Sequence, residues 1–151
     1  MSEKKRIIVG ISGASGAIYG IRTLEVLRTV ADVETHLILS PSGAQTIAAE
    51  TELSLDQVRD RADVVHGFKD IGASISSGSF RASGMMVAPC SIKTLSGIAN
   101  SFADNLISRS ADVCLKERRP VVLLVRETPL HLGHLELMTK AAQFGCAIVP
   151  P

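Results

Sequence analysis

Short runs of apolar residues alternate along the chain with stretches whose apolar positions recur at helical spacing. Residues 6–11 are apolar on both faces, the pattern of a strand covered on both sides. Over residues 17–30 the positions Ile18, Ile21, Leu24, Val26, Leu27 and Val30 trace one side of a helix. Residues 34–39 read as a second strand. Pro41 opens a helix to about Thr51 with Ser40 as its cap, and Ser54 caps a shorter helix through Arg61. Residues 68–83, rich in Ser, Gly and Ala, predict a mobile loop with room for one helical turn. Residues 85–88 form the third buried strand. Ser91 caps the next helix, which reaches about Ser101. A long helix covers residues 105–118, and Arg118 and Arg119 suit its negative end. Residues 121–125 read as a strand and 132–144 as a helix. Gly145 ends that helix, and the last strand is 146–149.

This alternating order predicts a single α/β domain over residues 1–151. Its parallel sheet is doubly wound, with helices on both faces in three layers. In such sheets ligands bind beyond the carboxyl ends of the strands. Four places fall there or beside it. Between the first strand and its helix lies Gly10-Ile-Ser-Gly-Ala-Ser-Gly-Ala17. Glycines admit a ligand close to the backbone, and helix N–H groups favour an anion. The same glycines also suit a tight turn, but the hydroxyls of Ser12 and Ser15 favour a ligand. The dinucleotide spacing G-x-G-x-x-G is absent, and so are the acidic residue after the second strand and the P-loop pattern. Ser40, where that strand ends, suits a phosphate or a polar ring edge.

The second place is Pro89-Cys-Ser-Ile-Lys-Thr94, which opens a helix. Ser91, Lys93, Thr94 and the free amides make an anion site, beyond a plain serine cap. Cys90 is either a thiol activated by the helix start or, the better reading, an inert buried cysteine. Third, Arg109 and Lys116 stand two turns apart on one helix face. With Asp112 they read first as a solvated stripe. Fourth, Arg126 and Glu127 follow a strand directly. They are either a surface pair or an acid–base group. His131 and His134 lack a third ligand at a recognised spacing, so no metal is expected.

Charge changes the picture by exclusion. A formal net charge of +1 and an aromatic content of 3% argue against a nucleic-acid-binding domain. Three cysteines in no CxxC pair fit a reducing cytoplasm better than a disulfide framework. Lys4, Lys5 and Arg6 precede an apolar stretch, but Ser12, Gly13, Ser15 and Gly16 interrupt it, so it reads as a strand rather than a secretion signal. No run approaches the ~18 apolar residues of a membrane span. A mean hydropathy of +0.26 points to surface buried between subunits.

The residues also carry a resemblance. Segments 9–20 (Val-Gly-Ile-Ser-Gly-Ala-Ser-Gly-Ala-Ile-Tyr-Gly), 75–79 (Ile-Ser-Ser-Gly-Ser), 89–97 (Pro-Cys-Ser-Ile-Lys-Thr-Leu-Ser-Gly), 111–120 (Ala-Asp-Val-Cys-Leu-Lys-Glu-Arg-Arg-Pro) and 125–130 (Val-Arg-Glu-Thr-Pro-Leu) resemble the UbiX/Pad1 flavin prenyltransferases. The resemblance spans nearly the whole chain. It implies a flavodoxin-like, Rossmann-like fold that binds FMN between subunits, in a homo-oligomer that is usually a dodecamer. It implies a metal-independent reaction that joins a dimethylallyl group from dimethylallyl phosphate to flavin N5 and C6 of reduced FMN. The product serves UbiD-type decarboxylases, often in ubiquinone synthesis.

Carried onto this chain, the resemblance places FMN contacts at Gly13, Ala14, Ser15, Ser40, Ser91, Ile92, Lys93, Thr94 and Arg126. It places the chemistry at Arg109, Lys116, Glu127 and Ser15, and so favours function over a surface stripe for Arg109 and Lys116. It also implies a further segment after Pro151 carrying a tyrosine and a basic residue for the prenyl phosphate. Two alternatives are an FMN-dependent decarboxylase of the cysteine-decarboxylase group, whose substrate motifs are missing here, and a flavin-binding module without chemistry. The near-neutral charge and scarce aromatics disfavour the latter.

Overall fold

The computed structural model describes residues 3–151. The strands are β1 (Lys5–Ile11), β2 (Val33–Leu39), β3 (Val64–His66), β4 (Gly84–Cys90), β5 (Val121–Val125) and β6 (Cys146–Ile148). The helices are α1 (Ala17–Arg28), α2 (Pro41–Glu50), α3 (Leu55–Arg59), α4 (Ile92–Ala99), α5 (Leu106–Lys116) and α6 (Leu132–Gln143). All strand pairs are parallel, and the sheet order is β3-β2-β1-β4-β5-β6. Among the described residues no helix is long and apolar enough to cross a membrane.

Strand residues alternate between two cores because successive side chains point to opposite faces. Val9, Ile11 and Leu37 pack with Ile21 and Leu24 of α1, Ile47 of α2 and Val58 of α3. Ile8, Ile38, Met85 and Val87 face Leu95 and Ile98 of α4, Ile107 and Cys114 of α5 and Ala141 of α6. The doubly wound three-layer architecture follows from this. Close packing at one point requires a glycine: a Cβ at Gly20 of α1 would collide with the Ala88 carbonyl of β4.

Two expectations needed correction. β3 was not anticipated. It has three residues, only partly covered, and so shows no buried apolar run. Residues 68–83 do contain the helical turn allowed for, but the rest of the segment is tied down rather than loose. They carry a 3-10 turn at Ser74–Ser76, bury Ile75, and accept two hydrogen bonds from Arg119. This segment crosses from β3 to β4 on the α5 face, where a helix would be usual.

The order reverses between β1 and β4, so the segments after these strands diverge and leave a crevice between them. Ser12 fixes their spacing. Its hydroxyl donates to the Pro89 carbonyl at 2.8 Å and accepts the Ser91 N–H at 2.8 Å. Ser12 is 1% exposed, so it ties backbone to backbone and does not offer a hydroxyl to a ligand.

Candidate active site

A cavity of about 700 Å³ opens at the carboxyl edge beside this clamp. Gly13, Ser40 and Ser42 line one wall, and Ser91, Lys93 and Thr94 another. Five residues expected from the sequence, Gly13, Ser40, Ser91, Lys93 and Thr94, therefore meet there. Helix starts explain why. Ser40 accepts the Gly43 N–H and caps α2, while Ser91 accepts the Thr94 N–H and caps α4. With Ser91 N–H given to Ser12, the Ile92 and Lys93 amides at the start of α4 have no partner among the described residues. They and Lys93 offer donors and positive potential to an anion. Gly13 leaves room that a Cβ would fill against Ser42 of α2.

The remaining wall comes from Phe68, Phe102, Asp104, Asn105 and Ser108. No motif in the sequence marked these, because they come from two connections and a helix start. Together they give the cavity apolar faces with a few polar groups, the usual character of a cofactor site.

Ser15 and Ala14 sit beside this cavity, in a different arrangement. The Ser15 hydroxyl donates to Glu50 Oε2 at 2.7 Å, and the Gly16 and Ala17 amides donate to Glu50 Oε1 at 2.9 and 3.1 Å. The start of α1, which reads from sequence as an anion site, already holds a carboxylate of this chain. Gly16 has a left-handed backbone, φ 105°, that aims its N–H there. The Ser15 hydroxyl lowers the Glu50 pKa most, the two amides add to it, and the Arg126 charge contributes. Glu50 therefore stays ionised with a hydroxyl bound to it. It was missed in the sequence because it lies 35 residues from Ser15, at the far end of α2. Ala14 is buried. Ile92 and Lys93 also line a second, shallower cavity of about 500 Å³ with His131 and His134.

The other expected residues do not converge on one point of this protomer. Arg109 and Lys116 share one exposed face of α5, where Arg109 pairs with Asp112 at 3.6 Å and Lys116 with Glu117 at 3.0 Å. From its start at the cavity to Lys116, α5 runs about 15 Å. It delivers Lys116 to the amino edge of the sheet. Glu127 is exposed after β5, where it accepts the Thr128 N–H. The Arg126 N–H bonds the Cys90 carbonyl and ties this segment to β4. Cys90 is buried and its thiol pKa is pushed up by that burial, in keeping with the inert reading. His131 and His134 use their Nδ1 atoms on backbone N–H groups at the start of α6.

Comparisons with known proteins agree with this geometry. The Flavoprotein family matches residues 1–147. A flavin prenyltransferase UbiX of Escherichia coli K12 is 65% identical over 147 residues, 97% of this chain and 78% of that protein. A crystal structure of AnUbiX (PadA1) in complex with FMN and dimethylallyl pyrophosphate superposes with a TM-score of 0.97 at 50% identity, covering 99% of this chain and 79% of that one. A dodecameric FMN-dependent UbiX-like decarboxylase from Escherichia coli O157:H7 gives 0.95 at 49% identity, over 97% and 79%. On identity and coverage, the chain belongs to the Flavoprotein family and, within it, to the UbiX flavin prenyltransferases.

Proposed function

We propose that this chain binds reduced FMN at the carboxyl-edge cavity and transfers to it a dimethylallyl group from dimethylallyl phosphate. The observation that carries this reading is the cavity itself. Gly13, the free amides of α4 and the Ser91, Lys93 and Thr94 side chains fit a flavin phosphate in a member of this family. When bound, reduced FMN supplies the nucleophilic N5 and C6 positions that accept the prenyl group.

The chain's own residues divide the remaining work. Ser91, Thr94 and the Ile92 and Lys93 amides hold the phosphate and so orient the cofactor. Phe68 and Phe102 exclude water from its apolar part. Forming the two bonds would break the allyl C–O bond to release phosphate, displace the N5 and C6 protons, and add one proton to the former allyl double bond. The Glu50 carboxylate, ionised and bound through Ser15, can take a proton at Oε2 by way of that hydroxyl. Glu127, exposed at the end of β5, is a second proton acceptor. Cations must meet the developing phosphate charge, and Arg109 and Lys116 have the right chemistry.

Lys116 lies too far along α5 to meet the cavity of its own protomer. We therefore assign its partner site to the cavity of another copy, so that a working centre needs at least two chains. The dodecameric relative at 49% identity supports such an assembly. We further assign the product to a UbiD-type decarboxylase, and the reaction to the cytoplasm, a compartment that suits three unpaired thiols.

Incubating the full chain with reduced FMN and dimethylallyl phosphate should give prenylated FMN by mass spectrometry. Bound flavin without any prenylated product would overturn the reading and favour a binding module.

A further inference from the structure

Segment 75–79 and the residues that close α5 meet at the amino edge of the sheet. After α5, Arg118 takes a left-handed backbone (φ 57°) and the Arg119 N–H bonds the Cys114 carbonyl. This turns the Arg119 side chain back across the β3–β4 connection. Its guanidinium donates from Nη1 to the Phe80 carbonyl at 2.7 Å and from Nη2 to the Gly78 carbonyl at 2.9 Å. Neither carbonyl belongs to a helix or a strand. A planar two-pronged donor sets both the position and the tilt of the segment it grips.

Other contacts close the strap at its ends. Ile75 is buried in the α5 core. The Phe80 ring stands edge-on to His36, with centroids 5.2 Å apart, and the Arg6 guanidinium lies 4.7 Å from the ring centroid. Between these anchors lies Gly78. A Cβ there would stand 2.6 Å from Glu117 Oε1 and 3.1 Å from Lys116 Nζ. The Lys116–Glu117 pair therefore lies close against the strap backbone, in the space a side chain at residue 78 would take. Lys116 is otherwise a long, flexible side chain on an exposed helix end, with its side chain 59% accessible.

We propose that Arg119 is a positioning residue for prenyl transfer: by clamping residues 78–80 it fixes the surface on which the Lys116 ammonium rests. The cation then meets the dimethylallyl phosphate of a neighbouring site already oriented. This rests on the reading of Lys116 as a phosphate-binding cation. Arg119 itself does not touch the substrate, and its influence passes through Gly78.

The test uses the full chain with reduced FMN. Arg119→Gln should lower kcat/KM for dimethylallyl phosphate about tenfold, mostly through KM, with FMN affinity within about twofold of wild type. Arg119→Lys keeps the charge but not the fork, and should restore only part of the loss. Gly78→Ala leaves Arg119 untouched and has no left-handed backbone to strain. It should displace the Lys116–Glu117 pair and raise KM in the same way, so it carries the test if Arg119→Gln does not fold. In a Lys116→Ala background, Arg119→Gln should cost nothing further.

Full additivity with Lys116→Ala, or a parallel loss of FMN affinity and kcat, would overturn the proposal in favour of a purely structural role. So would an unchanged KM in both Arg119→Gln and Gly78→Ala. If instead Lys116→Ala alone leaves kcat/KM untouched, the reading of Lys116 fails first and the proposal falls with it.

Discussion

The carboxyl-edge cavity and the outer face of α5 are built from different materials. At the carboxyl edge the cavity is made of backbone amides, glycines and short hydroxyl side chains. They are locked by contacts distant in sequence, such as Ser12 to Pro89 and Ser91. Along α5, which leads away from that cavity, the partly exposed Arg109 near its start and the exposed Lys116 at its amino-edge end are held by carboxylates of the same or the next turn. On the proposed function, the difference teaches how one small domain handles two ligands. A rigid cradle fixes one of them. The cations that the proposed function gives to the other rest on Asp112 and Glu117, in surface pairs worth only ~0–1 kcal/mol each. A phosphate can therefore replace those carboxylates at little cost.

The largest expected effect comes from removing a cation. Lys116→Ala should reduce kcat/KM for dimethylallyl phosphate by about 100-fold while FMN still titrates normally. Mixing Lys116→Ala chains with chains disabled in the cavity, by Ser91→Ala with Lys93→Ala, should restore some activity, because one copy then lends its cradle and the other its lysine. Two inactive parents giving an inactive mixture would place both functions in a single protomer.

Next in size is the clamp. Ser12→Ala leaves the Ser91 N–H without its buried acceptor, while the Pro89 carbonyl keeps the N–H of residue 12 at 3.3 Å, and should cost ~1–2 kcal/mol in urea unfolding. FMN affinity should fall with it, whereas an affinity equal to wild type would show that the cradle does not depend on the clamp. A smaller effect, and a pH-dependent one, is expected at Glu50. Its pKa is lower when folded than when unfolded, so its stabilising contribution is present above the ordinary carboxylate range and is lost as pH falls through the folded value. The stability difference between wild type and Glu50→Gln should be steady near neutrality and shrink below about pH 4. A difference that instead grew in acid would refute the assignment. The smallest effect is at Ser110, a fully buried hydroxyl of α5 without a partner among the described residues. Ser110→Ala should change thermal stability by less than ~1 kcal/mol, or raise it.

Much of this was legible from residue patterns. Strands β1 and β2 announce themselves because their apolar runs are buried on both faces, β5 by an unbroken apolar run, and the caps Ser40, Ser54 and Ser91 sit at the helix starts where they were expected. Arg109 and Lys116 do share one face, since two turns of helix bring them into line. What stayed hidden depends on distance along the chain. Glu50 carries no motif, and only the packing of α2 beside α1 brings it to Ser15. Ser12 looked like a ligand contact because its partner 77 residues away was invisible. The strap looked mobile because its Ser and Gly content says nothing of the arginine that grips it.

The Ser12 clamp has a consequence for folding as well. Its partners lie 77 and 79 residues downstream, so the crevice cannot take shape until β4 has paired with β1. Contacts of such separation close late, after much of the loop entropy has been lost. A flavin can therefore tighten the finished protein, but it finds no site on a chain that is still assembling. FMN should slow unfolding in denaturant jumps and leave the refolding rate nearly unchanged.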